Sequence, residues 1–448
     1  MSIFKACDIR GVYPGERDEP AADAIGSAAG EMLDGGDCVL AGDVRQSTPA
    51  LKEAVRRGLT RAGARVMDVG IVPTPAACWA RRRFGARGLV VVTASHNPPQ
   101  YNGMKLMLGD LPVTPEDMEE LQARAEEHRR MGPVASASAP GATTALDVKA
   151  DYLAWLAGRF AGTGRGRKAL VDAGNGCASE WAPAAFRAAD YEVEELFCRP
   201  DGRFPNRSPN PSRPEAVAAA SRRVRDAGAD FGVCFDGDAD RAVFLDENGN
   251  FVDAEQALIL LARRVLADEP GAGVVYDLKS TRVVPREVER AGGRPIMERS
   301  GYAFIKRRLI REDAALAGEA SGHFFFRELG GDDGIYAALR MGELIAEAGR
   351  PFSELLASAP PYHISQDIRV PCPSGRAAQI VEGLASRFAD RPQDRTDGVR
   401  VEFDGGWALC RPSVTEPAVT VRVEGDTAER MEELRNAFLD ALRRLRGA

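Results

Sequence analysis

What this chain lacks narrows the reading first. No two of its eight cysteines (7, 38, 78, 177, 198, 234, 372 and 410) form a C-x-x-C pair. That argues against a zinc site or a redox dithiol, and scattered cysteines fit reduced thiols better than disulfides. No apolar run is long enough to cross a bilayer. The opening Met1-Ser2-Ile3-Phe4-Lys5-Ala6-Cys7-Asp8 lacks the hydrophobic stretch of a signal peptide, so the expected location is the cytoplasm. Positive charge is short as well, with 59 Lys and Arg against 66 Asp and Glu and a net charge of −7. This balance argues against sequence-independent binding to nucleic acid or to an anionic membrane. Histidine is scarce, at four residues, and two of them (His96 and His323) fall in loops of small residues.

What is present is the balance of a globular protein, 44% apolar and 28% charged, in 448 residues that call for several domains. Apolar strand patterns alternate with amphipathic helical ones for about three quarters of the length, which predicts α/β architecture. A weak echo recurs there. Val39-Leu40-Ala41-Gly42-Asp43, Ala169-Leu170-Val171-Asp172 and Val274-Val275-Tyr276-Asp277 are each a short apolar strand ending in Asp before a polar turn. Three copies of one α/β unit is the simplest account.

Thr114-Pro115-Glu116-Asp117 predicts a capped helix running to about Met131, and Pro214 opens another over 214–227. Residues 254–267 and Ala428 to about Arg446 also carry helical patterns. The low-complexity run Gly132–Thr144 reads as a linker or exposed loop, the hairpin turn Asn248-Gly249 marks a second boundary, and the prolines at 359–361 mark a third. The expected domains are 1–146, 147–249, 250–360 and 361–448. The last has the pattern of strands plus a terminal helix, a smaller α+β domain. Nothing in the pattern separates a monomer from a dimer.

The strand-like Gly88-Leu89-Val90-Val91-Val92 runs into Thr93-Ala94-Ser95-His96-Asn97-Pro98-Pro99. A hydroxyl past a buried strand, with a histidine beside it and Lys105 after the turn-forming Asn102-Gly103, is what a serine needs to take up and release a phosphoryl group. Alone, the segment also reads as an ordinary polar strand-end loop. If the substrate is a phosphate ester, an acidic protein must concentrate cations locally. Arg10, Arg45, Lys105, Arg241, Lys279 and Arg411 all sit beside Gly, Pro or hydroxyl-rich turns where such a cluster could assemble.

A second strand, Phe231-Gly232-Val233-Cys234-Phe235, leads into Asp236-Gly237-Asp238-Ala239-Asp240-Arg241. Extended backbone would put the three carboxylates on one side, where they repel unless a cation neutralises them. Oxygen ligands beside a phosphate suit Mg²⁺, and a solvated acidic turn is the weaker reading because every acid falls on an alternate position. An EF-hand fails, because Arg241 stands where that loop needs glycine and Ala242-Val243-Phe244-Leu245 is a strand.

Gly318-Glu319-Ala320-Ser321-Gly322-His323 follows another apolar segment. In extended form Glu319 and Ser321 share a face suited to adjacent sugar hydroxyls. Arg411-Pro412-Ser413-Val414-Thr415-Glu416-Pro417 combines a guanidinium with two hydroxyls in a proline-shaped turn, a cradle for a phosphate dianion. Each segment is by itself also a plain turn.

Taken in order along the chain, T-A-S-H-N-P-P-Q-Y-N-G-M-K (93–105), D-G-D-A-D-R (236–241), G-E-A-S-G-H (318–323) and R-P-S-V-T-E-P (411–417) resemble the α-D-phosphohexomutase family, in its bacterial phosphomannomutase/phosphoglucomutase branch. C-D-I-R-G (7–11), G-D-V-R-Q-S (42–47), D-A-G-N-G (172–176) and D-G-R-F-P-N (201–206) add weaker support. The resemblance implies three related α/β/α domains and a smaller α+β domain around a central cleft. It implies that Ser95 carries a phosphoryl group and that Mg²⁺ is held by Asp236, Asp238, Asp240 and the Ser95 phosphate. The implied reaction moves phosphate between C1 and C6 of a hexose through a hexose 1,6-bisphosphate, which turns around in the cleft. Arg10, His96 and Lys105 match positions for proton transfer or charge stabilisation. Glu319 and Ser321 match sugar-hydroxyl ligands with Arg241, Lys279 and His323 nearby, and Arg411, Ser413 and Thr415 match the distal phosphate grip.

Three positions depart from the family pattern. Cys7 stands where many relatives have tyrosine, Val414 replaces glycine or asparagine, and Tyr302 replaces a common histidine. Within the family, Pro99-Gln100-Tyr101 and Ala320 lean towards mannose and glucose rather than glucosamine substrates, with activity on both hexoses expected. The rival from another class is a phosphohydrolase of the haloacid dehalogenase type, using Asp236 and Asp238 with Lys279 and Asp332-Asp333. It leaves Ser95 and 411–417 unexplained.

Overall fold

The computed structural model describes residues 3–16, 18–132, 139–373, 375–413 and 418–447. Its strands fall into four sheets. In the first, Asp37–Gly42 lies parallel between Arg65–Ile71 and Gly88–Val92. Tyr101–Leu108 then runs antiparallel to Gly88–Val92, with Asp8–Val12 beyond it. The second sheet repeats this plan with Lys168–Asp172 between Glu192–Leu196 and Phe231–Phe235, followed by Ala242–Leu245 and Phe251–Val252. The third places Gly273–Asp277 between Arg294–Glu298 and Leu316–Gly318, followed by Phe324–Phe326 and Gly331–Asp332.

One strand order therefore occurs three times, and the echoed apolar segments hold the same central place in each sheet. Each ends in an aspartate that folds back on its own turn. Oδ1 of Asp43, Asp172 and Asp277 accepts the backbone N–H two residues on, at 3.0, 2.8 and 3.0 Å. Gly88–Val92 and Phe231–Phe235 are buried throughout, as strands covered on both faces must be, which is why they read as unbroken apolar runs.

The fourth sheet is wholly antiparallel. Ala418–Gly425 pairs with Gly406–Pro412, His363–Ile364 and Ile368–Pro371, and Val399–Phe403 and Gln393–Asp394 complete it. Helices Ala377–Arg387 and Ala428–Gly447 cover it around a core of Ile380, Leu384, Val421 and Phe438. This is the small α+β domain. A single apolar cluster runs through the other three units, from Val91 through Phe235 to Phe324, so they pack as one body. Leu278, Trp407 and Leu409 join the third unit to the fourth. Glu424 reinforces that joint, accepting from Thr281 Oγ1 at 2.6 Å and from the Arg282 N–H at 2.9 Å.

The helix Pro115–Met131 starts as its sequence dictates. Thr114 Oγ1 accepts from the Asp117 N–H at 3.1 Å and Asp117 returns to the Thr114 N–H at 2.7 Å, a reciprocal cap contributing about 1 kcal/mol. Helix Ala254–Asp268 also follows its pattern. Three local expectations fail for identifiable reasons. Residues 214–217 form a 3₁₀ turn and the α-helix begins at Ala218, because no side chain caps the first turn and its N–H groups tighten onto nearer carbonyls. Thr143–Ala145, the tail of the low-complexity run, adds a parallel edge strand to Arg65–Ile71; residues 133–138 of that run lie outside the described residues. Asn102-Gly103 is strand rather than turn, since without a Cβ Gly103 lets the Ile9 and Thr93 carbonyls close on it. Among the described residues no helix is long and apolar enough to cross a membrane.

Candidate active site

In each of the three units, the loop between the third strand and its antiparallel neighbour faces the same place. These loops are residues 93–100, 236–241 and 319–323, and they carry Ser95, the three aspartates and Glu319. They meet at a cavity of about 1360 Å³ that all four sheets help to wall, through Arg10, His96, Arg241, Lys279, Glu319 and Arg411 among others. Nine Lys and Arg but four Asp and Glu line it. An acidic protein has thus gathered a cationic chamber, as a phosphate ester would require.

Ser95 is 1% exposed and sits at φ +49, a left-handed conformation that turns its hydroxyl back towards the second unit. Oγ donates to Asp236 Oδ2 at 2.8 Å and lies 3.3 Å from His96 Nδ1. Burial, then the charges of Arg241, Arg10 and Lys105, hold the His96 pKa well below the usual imidazole value. The ring is therefore held neutral. Arg10 donates to Asn97 Oδ1 at 2.8 Å and is itself fixed by Asp8.

The acidic loop is a turn, not the extended segment expected from its alternation. Ala239 at φ +66 bends it, so the three carboxylates converge from different directions. Gly237 is required here, because a Cβ would stand 2.5 Å from the Ser95 carbonyl. All three units pin the loop. Thr74 N–H donates to Asp238 O, Cys177 N–H to Gly237 O and Gly334 N–H to Ala239 O, at 2.9, 2.9 and 3.2 Å. One oxygen from each aspartate falls within 4.8 Å of the others. Asp238 Oδ2 accepts from Thr74 Oγ1 at 2.7 Å and Lys105 Nζ at 2.8 Å, and Lys105 also binds Asp240. Asp238 Oδ1 and Asp240 Oδ1 are buried without a hydrogen-bond partner.

Burial and the neighbouring Asp240 and Asp238 push the Asp236 pKa well up. Burial alone would lower that of Lys105, but Asp238 and Asp240 raise it well above normal. Oxygen-only donors, two of them unsatisfied, in a cluster that resists holding all its negative charge fit a hard divalent cation.

The sugar-side loop is also a turn, closed by the Gly322 N–H on Glu319 O at 2.9 Å. Glu319 lines the cavity with Oε2 unpartnered, while the Ser321 hydroxyl is buried, unpartnered and behind the lining. His323 has neither ring nitrogen free. Arg241 Nε donates to Nε2 at 2.9 Å, and Nδ1 faces Asp332 Oδ2 at 2.9 Å. Burial depresses its pKa and Asp240 and Asp332 more than restore it, so a second proton competes with Arg241 for Nε2. On the far wall Lys279 Nζ meets Asp367 at 3.3 Å and Arg411 meets Asp397 at 2.8 Å, with the Arg411 Nε unpartnered. The Ser413 N–H is tied to Ala418 O at 2.8 Å; Val414 and Thr415 lie outside the described residues. Asp333 is spent on Tyr152 and the Tyr336 N–H, so with Lys279 on Asp367 it does not join Asp236 and Asp238.

Arg45 leaves the expected cation cluster altogether. It is 1% exposed, and its donors go to Asp43 and to the carbonyls of Ser95, Asn97, Pro98 and Tyr101. It builds the serine loop rather than holding substrate. Thr74, which clamps Asp238, gave no motif signal beyond the helix start Pro73-Thr74-Pro75. Arg213 and Arg369, also on the cavity wall, lie outside the matched segments. The departures at 7 and 302 meet each other, the Tyr302 hydroxyl donating to the Cys7 carbonyl at 3.3 Å. The Tyr302 ring covers Lys105 Nζ at 5.4 Å and stacks on His323. Burial pushes the Cys7 thiol up to about 12, which keeps it inert.

Comparison with known proteins agrees with this layout. Models of the four phosphoglucomutase/phosphomannomutase domains match in order: α/β/α domain I at residues 1–131, domain II at 150–249, domain III at 253–362 and the C-terminal domain at 368–441. A phosphoglucomutase of Neisseria gonorrhoeae is 38% identical over 97% of this chain and 95% of its own length. A phosphomannomutase/phosphoglucomutase of Pseudomonas aeruginosa is 34% identical over 99% and 96%. The crystal structure of a phosphoglucomutase/phosphomannomutase family protein from Burkholderia thailandensis superposes with a TM-score of 0.91 at 34% identity, covering 99% of this chain and 97% of that one. With all four domains matched in sequence and superposable in space, the chain belongs to the phosphoglucomutase/phosphomannomutase family.

Proposed function

We propose that the protein is a phosphohexomutase that interconverts the 1- and 6-phosphates of glucose and mannose through a phosphoryl group carried on Ser95. The observation that carries this reading is the Ser95 hydroxyl, 2.8 Å from Asp236 within the aspartate cluster and opening through His96 onto a cationic chamber. Phosphorylated Ser95 gives its phosphoryl group to the free hydroxyl of a hexose phosphate: the sugar oxygen–phosphorus bond forms, the Oγ–phosphorus bond breaks, and the hydroxyl's proton ends on Oγ, with His96 beside Oγ placed to relay it. In the return transfer Ser95 Oγ attacks the other phosphate of the bisphosphate, and its proton goes by the same route to the sugar oxygen that leaves. Arg10 and Lys105 offset charge on the transferring group, and positioning does most of the work. Bound Mg²⁺, held by Asp236, Asp238, Asp240 and the Ser95 phosphate, would supply further charge neutralisation at the phosphoryl oxygens.

Glu319 orients the sugar hydroxyls, with Lys279 and His323-backed Arg241 beside it; the Ser321 hydroxyl, behind the lining, does not face them. Arg411, Ser413 and Thr415 hold the phosphate that does not react. One donor and one grip mean that the hexose 1,6-bisphosphate must reverse its direction, and the chamber exceeds the about 300–1,000 Å³ of common ligand sites. Free cysteines at all eight positions suit a reducing cytoplasm. A coupled assay of glucose 1-phosphate and mannose 1-phosphate side by side, with mass spectrometry of Ser95, tests the reading. Absence of phosphate on Ser95 in turning-over enzyme would overturn it.

A further inference from the structure

A second cavity, of about 480 Å³, lies where the first three units meet. One wall is a face of the helix Thr74–Phe84, whose Pro75, Cys78, Trp79 and Arg82 follow helical spacing. The facing wall is the helix Lys149–Phe160, through Asp151, Ala154 and Trp155, and the turn 328–333 closes the end. Its size falls in the about 300–1,000 Å³ range of small-molecule sites.

The polar groups here divide cleanly into spent and unspent. Glu328 is held by Arg159, Tyr336 and Arg340. Asp332 is held by His323, and Asp333 by Tyr152 and Tyr336. The side chains of Arg82, Arg83 and Asp151 have no hydrogen-bond or ion-pair partner among the described residues. The indoles of Trp79 and Trp155 border the same space, Trp155 already braced by stacking on Tyr336 at 5.7 Å. Two free guanidinium groups suit a phosphate, flat indole faces suit a base, and a lone carboxylate suits vicinal hydroxyls.

We propose that this cavity is a second ligand site, for a nucleoside phosphate, and that its occupancy is felt at the aspartate cluster. The first wall and the closing turn both reach it. Thr74, the first residue of one wall, donates to Asp238 Oδ2 at 2.7 Å. Asp332, in the closing turn, holds His323, which holds Arg241, whose N–H reaches Asp236 Oδ1 at 3.3 Å. A ligand that shifts the helix Thr74–Phe84 or the closing turn therefore moves a carboxylate of the cluster or the side chain that orders it.

Binding is read without reference to turnover, so its failure is separable from failure of the mutase assignment. Two of the four tryptophans face the cavity. Adenosine and guanosine 5′-diphosphate are titrated against absorbance-corrected tryptophan emission, with ribose 5-phosphate as the control lacking a base. At least one nucleotide should quench emission with saturating glucose 1-phosphate present, ribose 5-phosphate should not, and the double variant R82A/R83A should weaken binding at least tenfold. Because Arg82 and Arg83 are exposed, the double variant should keep the parent's fold and basal turnover. No quenching, quenching abolished by glucose 1-phosphate, or quenching unaltered in R82A/R83A overturns the site. Binding that leaves kcat and its Mg²⁺ dependence unchanged overturns the coupling.

Discussion

Arg45 Nη2 donates to the carbonyl oxygen of Ser95 at 2.8 Å. The Ser95 loop is thus hung on a buried guanidinium from the preceding strand–helix turn, with Asp43 balancing its charge at 3.0 Å. Replacing Arg45 by Met leaves the buried Asp43 charge unpaired and removes a donor from four carbonyls. The expected loss is about 3–5 kcal/mol in denaturant unfolding, with a fall in turnover. Arg45→Lys keeps the charge but not the fork and should recover part of the stability.

Ser95→Ala removes the proposed carrier without disturbing a core. Turnover should drop by about 10³-fold or more while the unfolding midpoint stays near that of the parent. Intact mass before and after incubation with glucose 1,6-bisphosphate should show an added phosphoryl group in the parent and none in the variant.

Thr74→Val separates metal affinity from phosphoryl transfer. The hydroxyl touches Asp238 and is placed to orient it, so the half-saturating Mg²⁺ concentration should rise about 10–100-fold. Asp238→Asn should raise it further and slow the reaction even at saturating Mg²⁺. An unchanged Mg²⁺ titration in both would remove this loop as the metal site.

Arg411→Ala should raise KM about tenfold or more and leave kcat within a few-fold if, as proposed, it grips the phosphate that is not transferred. Initial rates over a wide substrate range check the split.

Burial raises the Asp333 pKa from 3.8 to about 7 against the hydrogen bonds from Tyr336 and Tyr152. The folded state then holds a proton that the unfolded chain releases above pH ~4. Its contribution is full below that point and declines as pH rises to about 7, at most about 1.4 kcal/mol per pH unit. Asp333→Asn can donate to Tyr152 and accept from Tyr336, so it should flatten the stability–pH curve between about pH 4 and 7 in chemical unfolding.

How much of this was legible beforehand depends on the range of the interaction. The strands Gly88–Val92 and Phe231–Phe235, the cap at Thr114 and the three Asp-ended strands announce themselves because each is set by neighbours in sequence. Ser95, the three aspartates and Glu319 were visible as motifs. Their convergence was not, since it follows from three sheets sharing one strand order. Thr74 and Arg45 act across 164 and 50 positions, and no local pattern records such a contact. The acidic and sugar-side loops were expected to be extended because alternate spacing is a strand signal, but Ala239 and Gly322 adopt positive φ and gather the side chains by bending.

Because Ser95, the three aspartates and Glu319 stand on three equivalent hairpin bends, no one unit of the polypeptide assembles the cluster by itself. A chain halted early in the third unit has Ser95 and the three aspartates but not Glu319. Selection therefore acts on the assembled cluster, and each bend is free to specialise only as far as its two siblings still meet it.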